Sequence, residues 1–570
     1  MDKFYKIIQA LNSKQRKNFY VIVFYQAIKS VLEVISLGSL YPLIYFMFNG
    51  DISFLNKFNN LNFENKIDII VALLILIVVV FFIKTVIFIF ITYKENLFLA
   101  SVTKEKQVQL LSTYLEQDYS FFMNKKNEQL INNIITEAAH FSKNQVQPLY
   151  TLINESVKII LIFTAILLID PFYTLISVIF FLPILIIFIQ KVKKKLIKIG
   201  ILRKSNSEKM ISSAFKGLNS IREILIFKNQ KLFLQEFKEF CNGMKDCVLK
   251  NNLYIALPRI LFEFLIVFYL LVIFLISLKF TSNSTEKTFV YLSFLSISFI
   301  RLLPSVNTLV KATQDLSYYD NVTNMLRATN KMKNSNKIST KKITNTFNFE
   351  SMEIKNLNYD FSGKVIFDNA SFKIKSNLVY GVSGDSGSGK TTLFNILLGF
   401  LPPVKGQILI NKKELSSIKQ DWQNNLCYIP QDLYLFEDTI EKNITLSNDK
   451  VNADRLKKSI KISKLNSLIS KYSKKIKRKI KNSGIDLSGG QRQRIGIARS
   501  LYVNRDVVFL DETTNALDSK TEHQILQGLK HEFKNKTVFI ISHSKDLHKH
   551  VDRIINIKDS KIKILKPNAR

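Results

Sequence analysis

Six stretches of this chain are so apolar that water is a poor solvent for them. They run from about 19 to 48, 67 to 93, 146 to 169, 171 to 191, 255 to 278 and 288 to 312. Each reaches the roughly 20 residues that a helix needs to cross a bilayer. Inside hydrocarbon a peptide group has no water to bond, so only a helix, or a strand in a closed barrel, satisfies the backbone. A barrel strand alternates polar and apolar residues, and a run such as LLILIVVVFFI, residues 73 to 83, alternates nothing. Six spanning helices follow.

Their connections set an orientation. Asp170 and Pro171 alone part the third and fourth stretches, which fits a tight turn at one membrane surface. The short connections near 49 to 66 and 279 to 287 fall on that same side. The long ones, 94 to 145 and 192 to 254, are rich in Lys and Arg, as in KVKKKLIK at 191 to 198. The positive-inside tendency puts them, and both ends of the chain, in the cytoplasm. MDKFYKIIQALNSKQRKN, ahead of the first span, is polar and basic and lacks a small-residue cleavage site, so it reads as a cytoplasmic tail before an uncleaved anchor. The long connections are helix-forming. The spanning helices are therefore expected to continue past the membrane and to end in short transverse helices near 118 to 128 and 210 to 224.

A net charge of +36 invites a nucleic-acid reading. The excess, however, is Lys spread along the whole chain, without a basic face interleaved with aromatics, so no nucleic-acid partner is expected. With abundant Asn and Ile beside it, the Lys excess fits codon bias in an AT-rich genome as much as selected electrostatics, and a basic cytoplasmic surface beside anionic lipid headgroups accounts for much of the rest. Cys241, Cys247 and Cys427 stand at no metal-site spacing with His partners and are expected to be reduced.

From about residue 350 the pattern becomes that of a soluble α/β domain. The division expected is a membrane domain over 1–330, a basic linker over 331–348 (KMKNSNKISTKKITNTFN) and a nucleotide-binding domain over 349–570. LVYGVSGDSGSGKTTLFNILLGF, residues 378 to 400, sets a strand before Gly384, Asp385, Ser386, Gly387, Ser388, Gly389, Lys390, Thr391 and Thr392, and a helix after them. This is a P-loop in its strand-loop-helix setting. Its glycines let backbone N–H groups curl around phosphates, Lys390 reaches the β and γ phosphates of ATP, and Thr391 ligates Mg²⁺. VVFLDE, residues 507 to 512, is a second strand ending in two carboxylates. Asp511 suits the Mg²⁺ shell, and Glu512 suits the polarisation of an attacking water.

Between these lies LSGGQRQR, residues 487 to 494. Here the chain resembles the ATP-binding cassette (ABC) superfamily, and six spans followed by one cassette is the layout of its exporter-type half-transporters. The resemblance implies an α-helical membrane domain of the type IV exporter fold joined to an α/β P-loop NTPase cassette. It assigns Gln431, in YIPQDLYLF, to the glutamine that senses Mg²⁺, and His543, in IISHSK, to the switch histidine near the γ-phosphate. It assigns Asn515 to Asp518 to the D-loop and Phe361 to the aromatic ring on adenine, with Tyr359 a near rival. It implies that Ser488, Gly489, Gly490 and Gln491 of one cassette close over ATP held by another, hence a homodimer with two hydrolysing sites. The stretch KRKIKNSGIDLSGG departs from the family in lacking the usual acidic Gly-Glu element, and Ser544 stands where Arg is frequent.

Charges inside the spans bear on cargo, because a basic residue at mid-membrane costs roughly 2.5–3.5 kcal/mol and usually faces a cavity or a partner. Lys29 and Glu33, and Arg259 and Glu263, are four residues apart and are expected to neutralise one another. Lys84 and Arg301 have no acid three or four residues away. In a homodimer Lys84, Arg259 and Arg301 of both chains would line a cavity suited to a diphosphate. The step Pro258-Arg259, the run RLLPSVN at 301 to 307, and GQILIN with YIPQDLYLFEDTIEKNI resemble the flippases for lipid-linked oligosaccharides of bacterial protein N-glycosylation. That narrower resemblance implies a polyprenyl-diphosphate oligosaccharide as cargo, the inner membrane as location, and a short external helix for FLNKFNNLN at 54 to 62. Another amphipathic cargo (a lipid A-like lipid, a drug or a peptide) is the alternative, and a non-transport ATPase sharing LSGGQ is disfavoured by the six spans.

Overall fold

The computed structural model describes residues 2–39, 66–169, 171–280, 285–335, 347–361, 363–447, 451–470, 475–481, 484, 486–514, 516–542 and 550–567. They fall into two compact units, Met1–Gln117 with Phe121–Ile338, and Asp118–Ser120 with Ser339–Arg570.

The first unit is built of helices: α1 (Asp2–Ala10), α2 (Ser13–Gly38), α3 (Lys66–Leu115), the short α4 (Tyr119–Met123), α5 (Asn127–Asn132), α6 (Ala138–Phe141), α7 (Gln147–Ile169), α8 (Pro171–Asn219), α9 (Ile221–Phe227), α10 (Gln230–Phe280), α11 (Thr285–Tyr318) and α12 (Asp320–Ser335). Helices α3, α8 and α10 run for 50, 49 and 51 residues. At 1.5 Å per residue each is about 75 Å long, more than twice the roughly 30 Å of hydrocarbon. The helices therefore continue well beyond their apolar runs, as the helix-forming connections imply.

Among the described residues, Ser13–Ser36, Ile70–Leu115, Asn127–Thr164, Thr174–Asn219 and Gln230–Leu275 are long and apolar enough to cross a membrane. Helix α11 runs through the sixth apolar stretch. Pro183, Pro258 and Pro304 lie inside helices; Pro258 frees the Tyr254 carbonyl, which accepts from Gln314 Nε2 of α11 at 2.8 Å. The external segment 54–62 and Asp170 lie outside the described residues, as does most of the expected linker, whose first residues close α12.

One boundary differs from the sequence reading. A separate short helix near 118–128 is present as α4, but α8 continues unbroken to Asn219 through the segment expected to turn at 210. The separate helix here is α9, at Ile221–Phe227. SEKMISSAFKG is rich in helix formers and holds a single glycine, Gly217, and no proline. The break falls at Ser220, at φ −96° and ψ 24°.

Beyond the apolar runs this unit has a polar core. Two π-helical turns, Asn133–Glu137 and Ser142–Val146, interrupt the helix made by α5, α6 and α7. They carry the buried side chains of Asn133, Glu137, Ser142 and Gln145. Arg203 on α8 is 2 % exposed, places Nη2 at 2.9 and 3.1 Å from the two carboxylate oxygens of Glu137, and stacks its guanidinium 4.8 Å over the Tyr319 ring. Thr323 on α12 donates to Gln145 at 3.0 Å.

The second unit has two sheets among the described residues. Strands β1 (Ser351–Phe361), β2 (Lys364–Lys375), β4 (Lys405–Ile410) and β5 (Lys413–Glu414) form an antiparallel sheet in the order β2-β1-β4-β5. Strands β3 (Val379–Gly384), β6 (Leu426–Ile429), β7 (Val507–Asp511), β8 (Thr537–Ile541), β9 (Arg553–Lys558) and β10 (Lys561–Leu565) form the other, in the order β10-β9-β3-β8-β7-β6. It is parallel except for the β9–β10 pair. Strands buried on both faces need apolar residues at every position, and VVFLD and TVFII are buried at all five positions each. Helix α13 (Lys390–Leu397) covers one face, and Phe394, Phe509 and Phe539 meet there with no exposed surface. Phe509 and Phe539 stack at 4.5 Å between ring centroids.

Truncation of that stack tests where the cassette keeps its stability. Phe509→Ala is expected to cost about 3–5 kcal/mol and to lower the melting temperature of the detergent-solubilised chain by several degrees. Val404→Ala, at an exposed position, is expected to leave it unchanged in the same thermal scan.

Candidate functional site: an ATP site at the strand ends and cations among the helices

Parallel sheets bind ligands beyond the carboxyl ends of their strands, and the P-loop follows β3 at that edge. Gly384, Gly387 and Gly389 all have positive φ, at 156°, 77° and 99°. A Cβ on Gly389 would stand 2.5 Å from Ile366 Cγ2, so this position requires glycine in both conformation and space. Gly389 also caps α13, whose first residue is Lys390. Lys390 Nζ donates to the carbonyls of Gly384 at 2.9 Å and Asp385 at 3.0 Å, which curls the loop around its own ammonium.

Asp511 ends β7, two strands from β3 in the same sheet. It is 2 % exposed, and the hydroxyls of Tyr428 and Thr391 face it. Its Oδ1 is buried and has no hydrogen-bond partner among the described residues, and neither does Ser388 Oγ. A buried carboxylate oxygen left unsatisfied beside a threonine hydroxyl is the oxygen donor set of a hard divalent cation. Asp511 and Thr391 thus fit Mg²⁺, which when bound would neutralise phosphate charge; Gln431, the third residue expected there, directs its Nε2 to Glu512. Burial foremost, and the Glu512 charge next, push the Asp511 carboxyl up to about 6.

Glu512 follows at φ 49°, a left-handed backbone that costs a non-glycine residue on the order of 1–3 kcal/mol. Both of its peptide groups are held. Its N–H donates to Ile541 O at 2.9 Å, and its carbonyl accepts from Gln493 Nε2 at 3.2 Å. Its carboxylate accepts from Gln431 Nε2 at 2.8 Å. The structure therefore brings Lys390, Asp511, Glu512 and Gln431 to one edge of the sheet. His543 and Asn515 lie outside the described residues.

The signature sequence opens α14 (Gly489–Val503). Ser488 caps this helix reciprocally with Gln491: Ser488 Oγ accepts from Gln491 N at 3.2 Å, and Gln491 Oε1 accepts from Ser488 N at 3.0 Å. The Gln491 side chain is thus engaged within its own cassette. A Cβ on Gly490 would stand 2.8 Å from Ala516 O, so this glycine lets the D-loop pass close by. Gln493 was not singled out by the sequence, yet its Oε1 accepts from Ala516 N at 3.0 Å while its Nε2 holds Glu512. It ties α14 to both Glu512 and the segment at Ala516. Its place two residues after Gln491 was the available signal. Phe361 is 51 % exposed, whereas Tyr359 packs partly buried against the core, which separates the two aromatic rivals.

Among the helices the cations sort differently from the sequence expectation. Glu33 does not pair with Lys29. Its carboxylate meets Lys158 Nζ on α7 at 2.8 Å, and Lys158 also meets Glu155 at 3.0 Å. Lys158 is 8 % exposed and draws two carboxylates, because a buried ammonium needs more than one partner. Lys29 instead lies 5.2 Å over the Phe88 ring. Lys84 donates to Ser36 Oγ at 2.9 Å and lies over the Phe81 and Phe88 rings. Arg259 pairs with Glu263 at 2.8 Å as expected, with both side chains exposed. The Arg301 side chain lies outside the described residues. Within one chain Lys84 and Arg259 share no partner among the described contacts: the first belongs to the α2–α3 pair, the second to α10.

Residues 7–302 match the family profile of the ABC transporter transmembrane region, and residues 367–515 match that of the ABC transporter ATP-binding part. The chain belongs to the ABC transporter family. A protein of Rickettsia prowazekii (strain Madrid E) named as an export ATP-binding/permease protein is 36% identical to this ABC transporter chain over 197 residues, 34% of each chain. The ATP-dependent lipid A-core flippase of Ralstonia nicotianae (strain ATCC BAA-1114 / GMI1000) is 31% identical over 208 residues, 36% of this chain and 35% of that protein. The match thus spans about a third of the length of these relatives. A solved bacterial Atm1-family ABC exporter with ATP bound has a TM-score of 0.77 at 15% identity, covering 97% of this chain and 95% of that one. The shared fold is the type IV exporter arrangement of a helical membrane part and a P-loop cassette.

Two outcomes are expected at the site. Gln493→Ala leaves two backbone groups unpaired, at about 1–3 kcal/mol, and should lower the ATPase kcat by about tenfold with a smaller change in KM. In the Mg²⁺-free protein, Asp511 keeps its proton in the folded state up to about pH 6, whereas the unfolded chain releases it near 3.8. Its contribution to stability should therefore fall as pH rises between these values. Asp511→Asn should flatten that part of the melting-temperature profile.

Proposed function

We propose that two copies of this chain form an ATP-driven flippase of the bacterial inner membrane, which moves a polyprenyl-diphosphate-linked oligosaccharide from the cytoplasmic to the outer leaflet. The observation that carries the ATPase half is the grouping of Lys390, the orphaned oxygen of Asp511 and the clamped Glu512 at the carboxyl ends of β3 and β7. Phosphoryl transfer needs positioning and charge neutralisation more than covalent chemistry. Lys390, released from the Gly384 and Asp385 carbonyls, holds the β and γ phosphates. Gln431 orients the Glu512 carboxylate, which takes a proton from the water attacking the γ-phosphorus as the bond to ADP breaks. Phe361 offers an exposed ring for adenine. Ser488, Gly489 and Gly490 present a capped helix N-terminus for the ATP of the partner cassette, and His543 completes the γ-phosphate contacts.

The cargo half is supported by Lys84, a cation within an apolar helix that is positioned by a hydroxyl and two rings, together with Arg259 and Arg301. Lys158 is excluded from this set, since two carboxylates already neutralise it. A lipid A-like cargo is the second reading, favoured by the Ralstonia relative named for lipid A-core flipping.

Reconstitution in proteoliposomes tests both halves. Glu512→Gln should nearly abolish ATP turnover and trap an ATP-bound closed dimer, and substantial residual ATPase would show that the base is misassigned. Lys84→Ala and Arg301→Ala should each lower the number of polyprenyl-diphosphate oligosaccharides flipped per ATP hydrolysed by at least tenfold. Normal flipping by both variants would remove the diphosphate reading and leave the lipid A-like one.

A further inference from the structure

A pocket lies within the helical unit, and neither Lys84 nor Arg259 is among its lining residues. It has a volume of about 550 Å³ and is walled by α1, α7, α8 and α11, within the range of small-ligand sites. The sequence fixes its depth. Leu152 lies near the start of the third apolar run, Ile189 and Lys193 straddle the end of the fourth, and Thr313 to Ser317 follow the end of the sixth. All of these ends fall at one membrane boundary, the one from which the long helices continue, and positive-inside reasoning makes it the cytoplasmic boundary.

The lining divides by chemistry. Phe4, Leu152, Ile189, Leu196 and Leu316 are apolar, while Lys3, Lys193, Thr313, Gln314 and Ser317 are polar or cationic. Lys3 is held by Asp320 at 2.8 Å. Lys193 is exposed and makes no ion pair among the described residues. Gln314 is 3 % exposed; its Nε2 donates to Tyr254 O at 2.8 Å, and its Oε1 is buried with no partner among the described residues. An apolar wall, one uncommitted ammonium and one unsatisfied acceptor call for a ligand with an apolar part, an anion and a hydroxyl donor. At a membrane boundary that combination is a glycerophospholipid, and anionic headgroups concentrate at the cytoplasmic face.

We propose that this pocket holds an anionic glycerophospholipid of the cytoplasmic leaflet. Lys193 pairs with its phosphate, Gln314 Oε1 accepts from a headgroup hydroxyl after a small side-chain rotation, and Phe4 of α1 covers the glycerol-proximal chain. Lipid bound there ties the interfacial helix α1 to α8 and α11. The site is distinct from the cargo cations and does not depend on the cargo assignment.

The neighbouring lysine supplies the control. Lys194 belongs to the same KVKKK run but does not line the pocket. Native mass spectrometry of the full-length protein, delipidated in detergent and titrated with phosphatidylglycerol, phosphatidic acid or phosphatidylcholine, reads the first bound lipid. Wild type should retain phosphatidylglycerol at least tenfold better than phosphatidylcholine. Lys193→Gln should reduce that preference to less than threefold, and Lys194→Gln should keep it. Gln314→Leu should remove the preference of phosphatidylglycerol over phosphatidic acid, which lacks the headgroup glycerol. Equal losses in Lys193→Gln and Lys194→Gln would mean diffuse electrostatics and overturn the site. So would an unchanged Lys193→Gln, or displacement of bound phosphatidylglycerol by an equal concentration of polyprenyl diphosphate added as competitor.

Discussion

A peptide group that enters hydrocarbon must bring its own hydrogen-bond partner, and most of the helical unit can be understood from that demand. A helix that has satisfied every backbone group internally gains nothing by stopping at the membrane surface, so α3, α8 and α10 run on for about 50 residues each. What changes at the boundary is the side-chain chemistry. Within the apolar runs the described cations find short-range partners of different kinds: Lys158 two carboxylates, Arg259 one, Lys29 an aromatic ring, and Lys84 a hydroxyl and two rings. Past the runs, the same helices bury a seam of Asn, Gln, Glu and Arg, in which Arg203 and Glu137 are the most enclosed pair. Removing one member of such a pair costs about 3–5 kcal/mol, because the other is left charged and buried.

The cassette obeys a different constraint. Its central strands are saturated with apolar side chains, so the polar groups that act on nucleotide collect where the strands end. Asp511 and Glu512 are consecutive yet have opposite surroundings. Asp511 is buried with an oxygen unsatisfied, while Glu512 stands on a left-handed backbone held from β8 and from Gln493. Two adjacent carboxylates are thereby given opposite surroundings by the turn between them, one suited to a cation and one suited to a base.

The cassette was the more legible half, because its functional residues are near one another in sequence: the P-loop glycines, LSGGQ and the DE pair each declare their local geometry. Gln493 escaped because its two partners, Glu512 and Ala516, are roughly 20 residues away, and their carbonyl and amide leave no mark on composition. The long helices were legible from hydropathy, and the end of α8 was not, since nothing between 210 and 219 breaks a helix. Pairing across helices was the least legible. Lys29 and Glu33 satisfy the four-residue rule, yet the acid turns to Lys158 on another helix, where burial raises the need for a counter-charge. Spacing along one helix says what can meet; depth on the neighbouring helix decides what does.

The two π turns of the Asn127–Ile169 rod give it an unusual mechanical character. Each fits about one more residue into its turn than α geometry does, and one added residue re-aims everything after it by about 100°. The rod behaves as a shaft carrying two keyed collars, its stripe of contacts stepped twice between one end and the other. If one collar relaxed to ordinary pitch, Glu137 or Gln145 would rotate away from Arg203 or Thr323 while every helix stayed intact. Angular timing between the two ends of this shaft is therefore written in two short segments, Asn133–Glu137 and Ser142–Val146.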